Sequence, residues 1–438
     1  MTFLFSHYDV SMPHLFIKGL SGKATLEGRV AIVGAKNAAL KAIAASILFR
    51  SPLSLNNVPD IEDVSRMLDI IRTMGGSVAV SPHKALVDGS KLTSTTLTPE
   101  ISKRLRSSIV LTGPILARYG RVQFPHPGGC VIGERPIDLF VEGYIKMGAK
   151  VKKVGKFYHV EAKQGKLVGA ELFFRTQSVT GTETFIMAAV LAKGVTTIKN
   201  AAMEPEIVWL ANLLNASGAK IVGAGTPTIT INGVSLLDAK NKVFNVIPDR
   251  IEAGSFLILG ALAAKKLTVT NIIPEHLESL TELLTYTGTK VSTTKNSITI
   301  SANKKVGGLR AVNIRTHEYP GFPTDLQAPM VVYLTQASGE SLMFETIFEG
   351  RLNFTESLNR IGANISMMDP HRVIIRGSTT FKGSHLESPD LRAGLAFVIA
   401  AIIAKGESKI YNVYNIDRGY ERIEERLRAI GVEITRRD

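Results

Sequence analysis

The sequence holds a single cysteine, Cys130, and a single tryptophan. One thiol excludes an intrachain disulfide framework and a metal cluster built from cysteines, and no metal or cofactor is expected. The lack of disulfides fits a reducing compartment, so a cytoplasmic location is expected. Aromatic residues are only 7% of the chain and do not interleave with the basic ones. That weighs against the stacking platforms single-stranded nucleic acid requires, and no nucleic-acid partner is expected. Long apolar runs are missing as well. Leu391 to Ala404, one of the longest, contains Arg392 and falls short of the roughly 20 residues a bilayer span needs. It reads as a buried helix, and no membrane partner is expected. Residues 1–12 carry a short Phe-Leu-Phe patch without a basic start, a long apolar core or a small-residue cleavage site. They are expected to be an N-terminal extension rather than a secretory signal, and Met12 offers an alternative start.

What is present is cationic. Against 38 acidic residues stand 52 Lys and Arg, a formal charge of +14 over 438 residues. Such an excess suits polyanions, phosphorylated small molecules among them. The cations are dispersed, however, and the densest groups, Lys150-Val-Lys-Lys153 and Arg436-Arg437, are short. Charge alone selects no partner.

An internal repeat organises the chain. A Gly-x-x-Val/Ile step follows an apolar helical pattern at Gly75, Gly148, Gly218, Gly288, Gly362 and Gly431, at spacings of 69 to 74 residues. Each unit opens with an Ala-rich helix: Ala38 to Leu48, Ser107 to Ala117, Thr184 to Ala192, Ala253 to Ala264, Gln327 to Thr335 and Leu391 to Ala404. A β-branched strand follows, then an amphipathic helix. In the first unit Ile61, Val64, Leu68, Ile71 and Met74 share one face of that helix, with Asp60 as the expected N-cap. The repeated glycine suits a left-handed helix end. A helix apolar on every face belongs inside a domain, not on its surface. The expected fold is therefore α/β: two domains, each of three βαβαββ units with three buried helices walled by three sheets, facing each other across a cleft. The domains are expected at 36–247, carrying the Cys130 loop, and at 13–35 plus 248–438.

Charge recurs where these inner helices begin: Lys36-Asn37, Arg104 and Arg106, Asp249-Arg250, Thr324-Asp325 and Asp390-Leu-Arg392. Helix N-termini offer free N–H groups and a positive dipole end, so a phosphate-rich ligand fits these positions. The stretch Pro127-Gly-Gly-Cys130-Val-Ile-Gly133-Glu-Arg135-Pro-Ile-Asp138 is glycine-rich and reads as a loop. A lone cysteine is ordinarily a small buried hydrophobe. In a loop five residues before an arginine it is equally readable as an exposed, ionisable thiol.

These motifs resemble the UDP-N-acetylglucosamine 1-carboxyvinyltransferase family of enolpyruvyl transferases. The resemblance rests on Gly34-Ala-Lys-Asn-Ala-Ala39, the cysteine loop, Phe322-Pro-Thr-Asp-Leu-Gln327, Glu345-Thr-Ile-Phe-Glu-Gly-Arg351, Asp390-Leu-Arg392 and Ile416-Asp-Arg-Gly-Tyr-Glu-Arg422. It runs from about Phe16 to the C-terminus, in the family's order, and it implies the family's α/β fold, two inverse (inside-out) α/β-barrel domains, which agrees with the repeat reading. It implies transfer of the enolpyruvyl group of phosphoenolpyruvate to the 3-hydroxyl of UDP-N-acetylglucosamine by addition and elimination, in a monomer or weak homo-oligomer. It implies Cys130 as the acid toward carbon 3 and Asp325 as acceptor of the sugar proton. Lys36, Asn37, Arg135, Arg351, Arg392 and Arg418 match positions that hold phosphoenolpyruvate. Arg106, Arg135, Pro136, Ile137, Asp138, Leu139, Thr176, Gln177, Ser178, Val179, Asp325 and Ile347 match nucleotide-sugar positions. Departures from the family pattern occur at Phe140, where histidine is frequent, at Val110, and in the lengthened segment Ser178 to Thr182. The nearest alternative, 5-enolpyruvylshikimate-3-phosphate synthase, shares the fold and the phosphoenolpyruvate chemistry but lacks such a cysteine loop.

Overall fold

The computed structural model describes residues 13–126, 133, 137–301 and 308–437. They form two units. One comprises residues 32–250 with 317–323; the other comprises the described parts of 1–31, 251–316 and 324–438.

Among the described residues the six repeats read from the glycine steps are six separate sheets, three in each unit. Five share one topology: a short parallel edge strand, a central strand, and an antiparallel pair, which is a hairpin in four and the pairing of His14–Lys18 with Glu433–Arg437 in the fifth. In the first unit, for example, 171–173 runs parallel to Val195–Lys199, which pairs antiparallel with Thr228–Asn232 and then Lys220–Val222. In the sixth sheet, Arg121–Pro125 with Phe157–Ala162 and Ala149–Val154, the described residues give an isolated parallel bridge, Thr96 to Gln123, in place of the edge strand. All six step glycines have positive φ, from 82° at Gly148 to 118° at Gly362. Here a side chain would be strained, so the motif marks a required backbone geometry. The second unit is discontinuous because strands near the N-terminus complete its sheets. His14–Lys18 lies between Glu407–Tyr411 and Glu433–Arg437, and Leu26–Ala31 runs parallel to Ala264–Thr270.

The apolar helices lie inside, as their uniform hydrophobicity predicts. Along Lys36–Ala45, residues 38 to 45 are all buried, and along Leu391–Ile403 every residue is. In the first unit Val179–Val190 packs on strands Val195–Lys199 and Thr228–Asn232 and on helix Thr112–Tyr119. The two helices approach so closely that a β-carbon on Gly113 would lie 2.4 Å from the Thr184 carbonyl oxygen. In the second unit Leu391–Ile403 packs on His14–Lys18, on Glu407–Tyr411 and on helix Gln327–Leu334. No sheet closes on itself among the described residues, so the inside-out description holds with three open sheets around each helical core.

Two local expectations change. The second inner helix is a 3-10 turn, Arg106–Leu111, before an α-helix, Thr112–Tyr119. Pro114 has no N–H and its ring opposes a carbonyl four residues earlier, so regular α-geometry cannot extend back through Val110. The amphipathic helix of the first repeat is Glu62–Thr73, with Ile61 rather than Asp60 at its N-cap. Its apolar face is as expected: Ile61, Val64, Leu68, Ile71 and Met74 are all buried.

Candidate active site

Polar groups gather at the starts of the inner helices. In the unit containing 324–438, the 3-10 turn Thr324–Leu326 leads into helix Gln327–Leu334 and presents Asp325. Two arginines grip this carboxylate. Arg351 Nη2 donates to Oδ1 at 2.7 Å and Arg392 Nη2 donates to Oδ2 at 2.9 Å. Both guanidinium groups are almost fully buried, while Asp325 keeps 27% of its side chain exposed.

Each arginine is fixed from behind. Arg351 Nη1 donates to Thr324 Oγ1 at 2.7 Å, and that hydroxyl donates to Glu345 Oε2 at 2.8 Å. Glu345 is wholly buried. It also accepts from Thr316 Oγ1 and from the N–H groups of Ile347 and Phe348, at 3.1, 2.8 and 3.2 Å. Four donors compensate the burial of one carboxylate, which otherwise would be costly. The Phe348 ring lies 5.2 Å from the Arg351 guanidinium, adding a cation–π contact. Arg392 stands in the first turn of Leu391–Ile403, where Asp390 caps the N–H groups of Arg392 and Ala393 at 2.7 and 3.1 Å. Its Nη1 donates to Tyr420 Oη at 3.0 Å. Arg418 follows the short helix Tyr414–Asp417 and is half-buried, two residues before that tyrosine.

The other unit has its own cluster. Lys36 opens helix Lys36–Ala45; its Nζ donates to Asp63 Oδ2 at 3.1 Å and its backbone N–H to Asp249 Oδ2 at 3.2 Å. Both aspartates are buried. Asn37, next on the helix, is half-buried. Arg106 opens the 3-10 turn, and its Nη1 and Nη2 are buried without a hydrogen-bond partner among the described residues. Ile137 is buried, Asp138 is exposed at the first position of helix Asp138–Lys146, and Leu139 is half-buried. Ser178 caps helix Val179–Val190, its Oγ accepting the Gly181 N–H at 3.0 Å. Leu139 lies against this cap, since a β-carbon on Gly181 would be 2.4 Å from Leu139 Cδ2. Asp138-Leu139 and Ser178-Val179, far apart in sequence, are therefore neighbours. Thr176 is exposed and Gln177 half-buried on the approach to the cap. Phe140 turns inward and stacks on Phe185 at 6.2 Å. Cys130, Arg135 and Pro136 lie outside the described residues.

Sequence reasoning missed Asp63, Glu345's anchoring role and a buried ion pair. Lys41 Nζ meets Glu183 Oε2 at 3.1 Å between two inner helices, both residues buried. Burial pushes the Glu183 carboxyl up to about 7, with Lys41 opposing and Glu206 and Glu204 reinforcing the rise. The signal for Asp63 was an acid on a buried stripe, in register with Met67 and Ile70. No local pattern signalled the Lys41–Glu183 pair.

Known proteins place this chain. Residues 20–427 match the family described as EPSP synthase (3-phosphoshikimate 1-carboxyvinyltransferase). The UDP-N-acetylglucosamine 1-carboxyvinyltransferase of a Nitratiruptor species is 42% identical over 417 residues, covering 95% of this chain and 98% of that protein. That of Helicobacter pylori is 41% identical over 417 residues, covering 95% and 97%. Among solved structures, the enolpyruvyl transferase NikO from Streptomyces tendae has a TM-score of 0.84 at 22% identity, over 97% of this chain and 99% of that one. An EPSP synthase from Acinetobacter baumannii has a TM-score of 0.72 at 16% identity, over 97% and 100%. The two structures share the fold, and the far higher identity is to the enzymes named for a UDP-sugar. The chain belongs to the UDP-N-acetylglucosamine 1-carboxyvinyltransferase family of enolpyruvyl transferases.

Proposed function

We propose that this chain transfers the enolpyruvyl group of phosphoenolpyruvate to the 3-hydroxyl of UDP-N-acetylglucosamine and releases phosphate. The observation that carries the reading is the 42% identity to a UDP-N-acetylglucosamine 1-carboxyvinyltransferase over 95% of the chain. The reaction is the first committed step of peptidoglycan precursor synthesis, carried out in the cytoplasm.

In the addition step the sugar oxygen bonds to carbon 2 of phosphoenolpyruvate and its proton passes to Asp325. The carbon–carbon π pair takes a proton at carbon 3 from Cys130. A thiol with a free-state pKa of about 8.5 is still largely protonated near neutrality and can serve as that acid. Elimination then returns a proton from carbon 3 to the Cys130 thiolate, breaks the bond from carbon 2 to the phosphate oxygen and restores the double bond. Lys36, Arg135 and Arg418 hold the phosphate, with Asn37 beside Lys36. Arg351 and Arg392 receive the carboxylate, for which two planar guanidinium groups are suited. Arg106, residues 135–139, 176–179 and Ile347 contact the nucleotide sugar. Fixed cations acting on charge that develops in the transition state supply much of the acceleration.

Two features support these roles. The Arg351 and Arg392 guanidinium groups already converge on a carboxylate, that of Asp325. Arg106 has buried donor groups without acceptors among the described residues, which an anionic ligand would satisfy. The test is product identity. Incubation with phosphoenolpyruvate and UDP-N-acetylglucosamine should yield a nucleotide sugar heavier by one enolpyruvyl group. Transfer to shikimate 3-phosphate instead, with the UDP-sugar unchanged, would overturn the reading.

A further inference from the structure

We infer that Asp325 is an internal stand-in for the substrate's carboxylate, and that phosphoenolpyruvate binds by displacing it from Arg351 and Arg392. The inference rests on the proposed reading of those arginines as the carboxylate receptor. It adds that the receptor is filled by the protein's own carboxylate beforehand, and that binding therefore frees Asp325.

Geometry decides which of the three groups yields. Arg351 is tied at Nη1 to Thr324, which is tied to the buried Glu345. Arg392 is tied at Nη1 to Tyr420, itself 1% exposed and 3.4 Å from the Ser255 hydroxyl. The two guanidinium side chains are 6% and 5% exposed, against 27% for Asp325. Thr324 shares the 3-10 turn of Asp325 and is held by Glu345, so the turn stays in place and the part able to move is the Asp325 side chain. The arginines form the rigid pair and the aspartate is the movable member.

A second observation points to an incoming ligand. Arg351 Nε is buried with no hydrogen-bond partner among the described residues. A buried charged donor left unpaired is costly, and a second carboxylate at this guanidinium satisfies it. The exchange has a chemical consequence. While gripped, each Asp325 oxygen already accepts a charge-assisted hydrogen bond. Once displaced, the carboxylate loses both guanidinium donors and becomes a stronger acceptor for the proton of the sugar hydroxyl. Occupation of the carboxylate receptor and readiness of the base become one event, so the hydroxyl is not deprotonated before its electrophile is in place.

Calorimetric titration of the full chain tests this, with phosphoenolpyruvate and separately with inorganic phosphate, for wild type, Asp325→Asn and Asp325→Ala. Exchange predicts that phosphoenolpyruvate binds about tenfold tighter to both variants, because no internal carboxylate competes for charge-assisted bonds. Phosphate affinity should change little. Equal tightening of both ligands would indicate a general charge effect and overturn the exchange. So would an unchanged or weakened phosphoenolpyruvate affinity in a folded variant. The asparagine variant keeps a hydrogen-bonding side chain and guards against misfolding of the alanine one. Turnover reads the base role separately. Activity retained in Asp325→Asn alongside tighter binding supports exchange while removing Asp325 as the base. Lost activity with unchanged binding does the reverse.

Discussion

Lys36 and Asp63, on different helices, meet through an ion pair of 3.1 Å in which the aspartate side chain is only 2% exposed and the lysine 13%. Lys36 is thus anchored at two points, because Asp249 accepts its backbone N–H. An ammonium on a flexible four-carbon stem has no preferred direction of its own, and a buried carboxylate supplies one. We predict that Asp63→Asn raises the KM for phosphoenolpyruvate by about tenfold, roughly 1.4 kcal/mol, with a smaller effect on kcat. Steady-state kinetics check this. An unchanged KM would mean that Asp63 serves the fold alone.

Arg392→Lys keeps the charge but cannot hold Tyr420 and Asp325 at once through two separate nitrogens. The expected result is a loss of about tenfold or more in kcat/KM for phosphoenolpyruvate, measured at saturating UDP-N-acetylglucosamine. Near wild-type kinetics would show that charge suffices without the fork.

The Lys41–Glu183 pair gives a pH prediction. The Glu183 carboxyl, raised from 4.5 to about 7 chiefly by burial, binds its proton more tightly in the folded chain than in the unfolded one. Its contribution is therefore fully present below about pH 4.5 and is lost as pH rises through about 7. Glu204 is shifted in the same direction, again chiefly by burial. Urea unfolding at pH 5 and pH 8 should show wild type losing up to about 3 kcal/mol more than Glu183→Gln over that interval. Equal pH dependence in the two proteins would contradict this.

Gly113 is a packing prediction. A β-carbon there meets backbone, the Thr184 carbonyl 2.4 Å away, and backbone cannot rotate aside as a side chain would. Gly113→Ala should lower stability by about 3 kcal/mol, read as a drop in the urea midpoint. An unchanged midpoint would show that the two inner helices can separate without cost.

The architecture was legible because it is written in local periodicity. Six glycine steps near 70 residues apart, each ending an apolar helical pattern, specify six similar units, and all six glycines have the positive φ they imply. Continuous hydrophobicity in Leu391–Ile403 likewise required an interior position. The candidate site was legible in part, in which of its residues the fold brings together. Asp325, Arg351 and Arg392 stood in recognisable motifs and the fold brings them together. Asp63 and Glu345 act through partners 27 and 21 residues away, and Glu183 meets Lys41 from a different inner helix. Such pairings depend on how helices and sheets pack, which periodicity does not encode. The Arg106–Leu111 turn has a local cause, Pro114, which an apolar pattern does not register.

The proposed chemistry is enolpyruvyl transfer to a UDP-sugar with Cys130 as the acid. The direct measurement is phosphate release from phosphoenolpyruvate with and without UDP-N-acetylglucosamine, for wild type and for Cys130→Ser. Wild type should release phosphate only when the nucleotide sugar is present, and the serine variant, whose hydroxyl is a far weaker acid than a thiol, should lose at least about a hundredfold. Full activity in Cys130→Ser, or release independent of the nucleotide sugar, would contradict that chemistry.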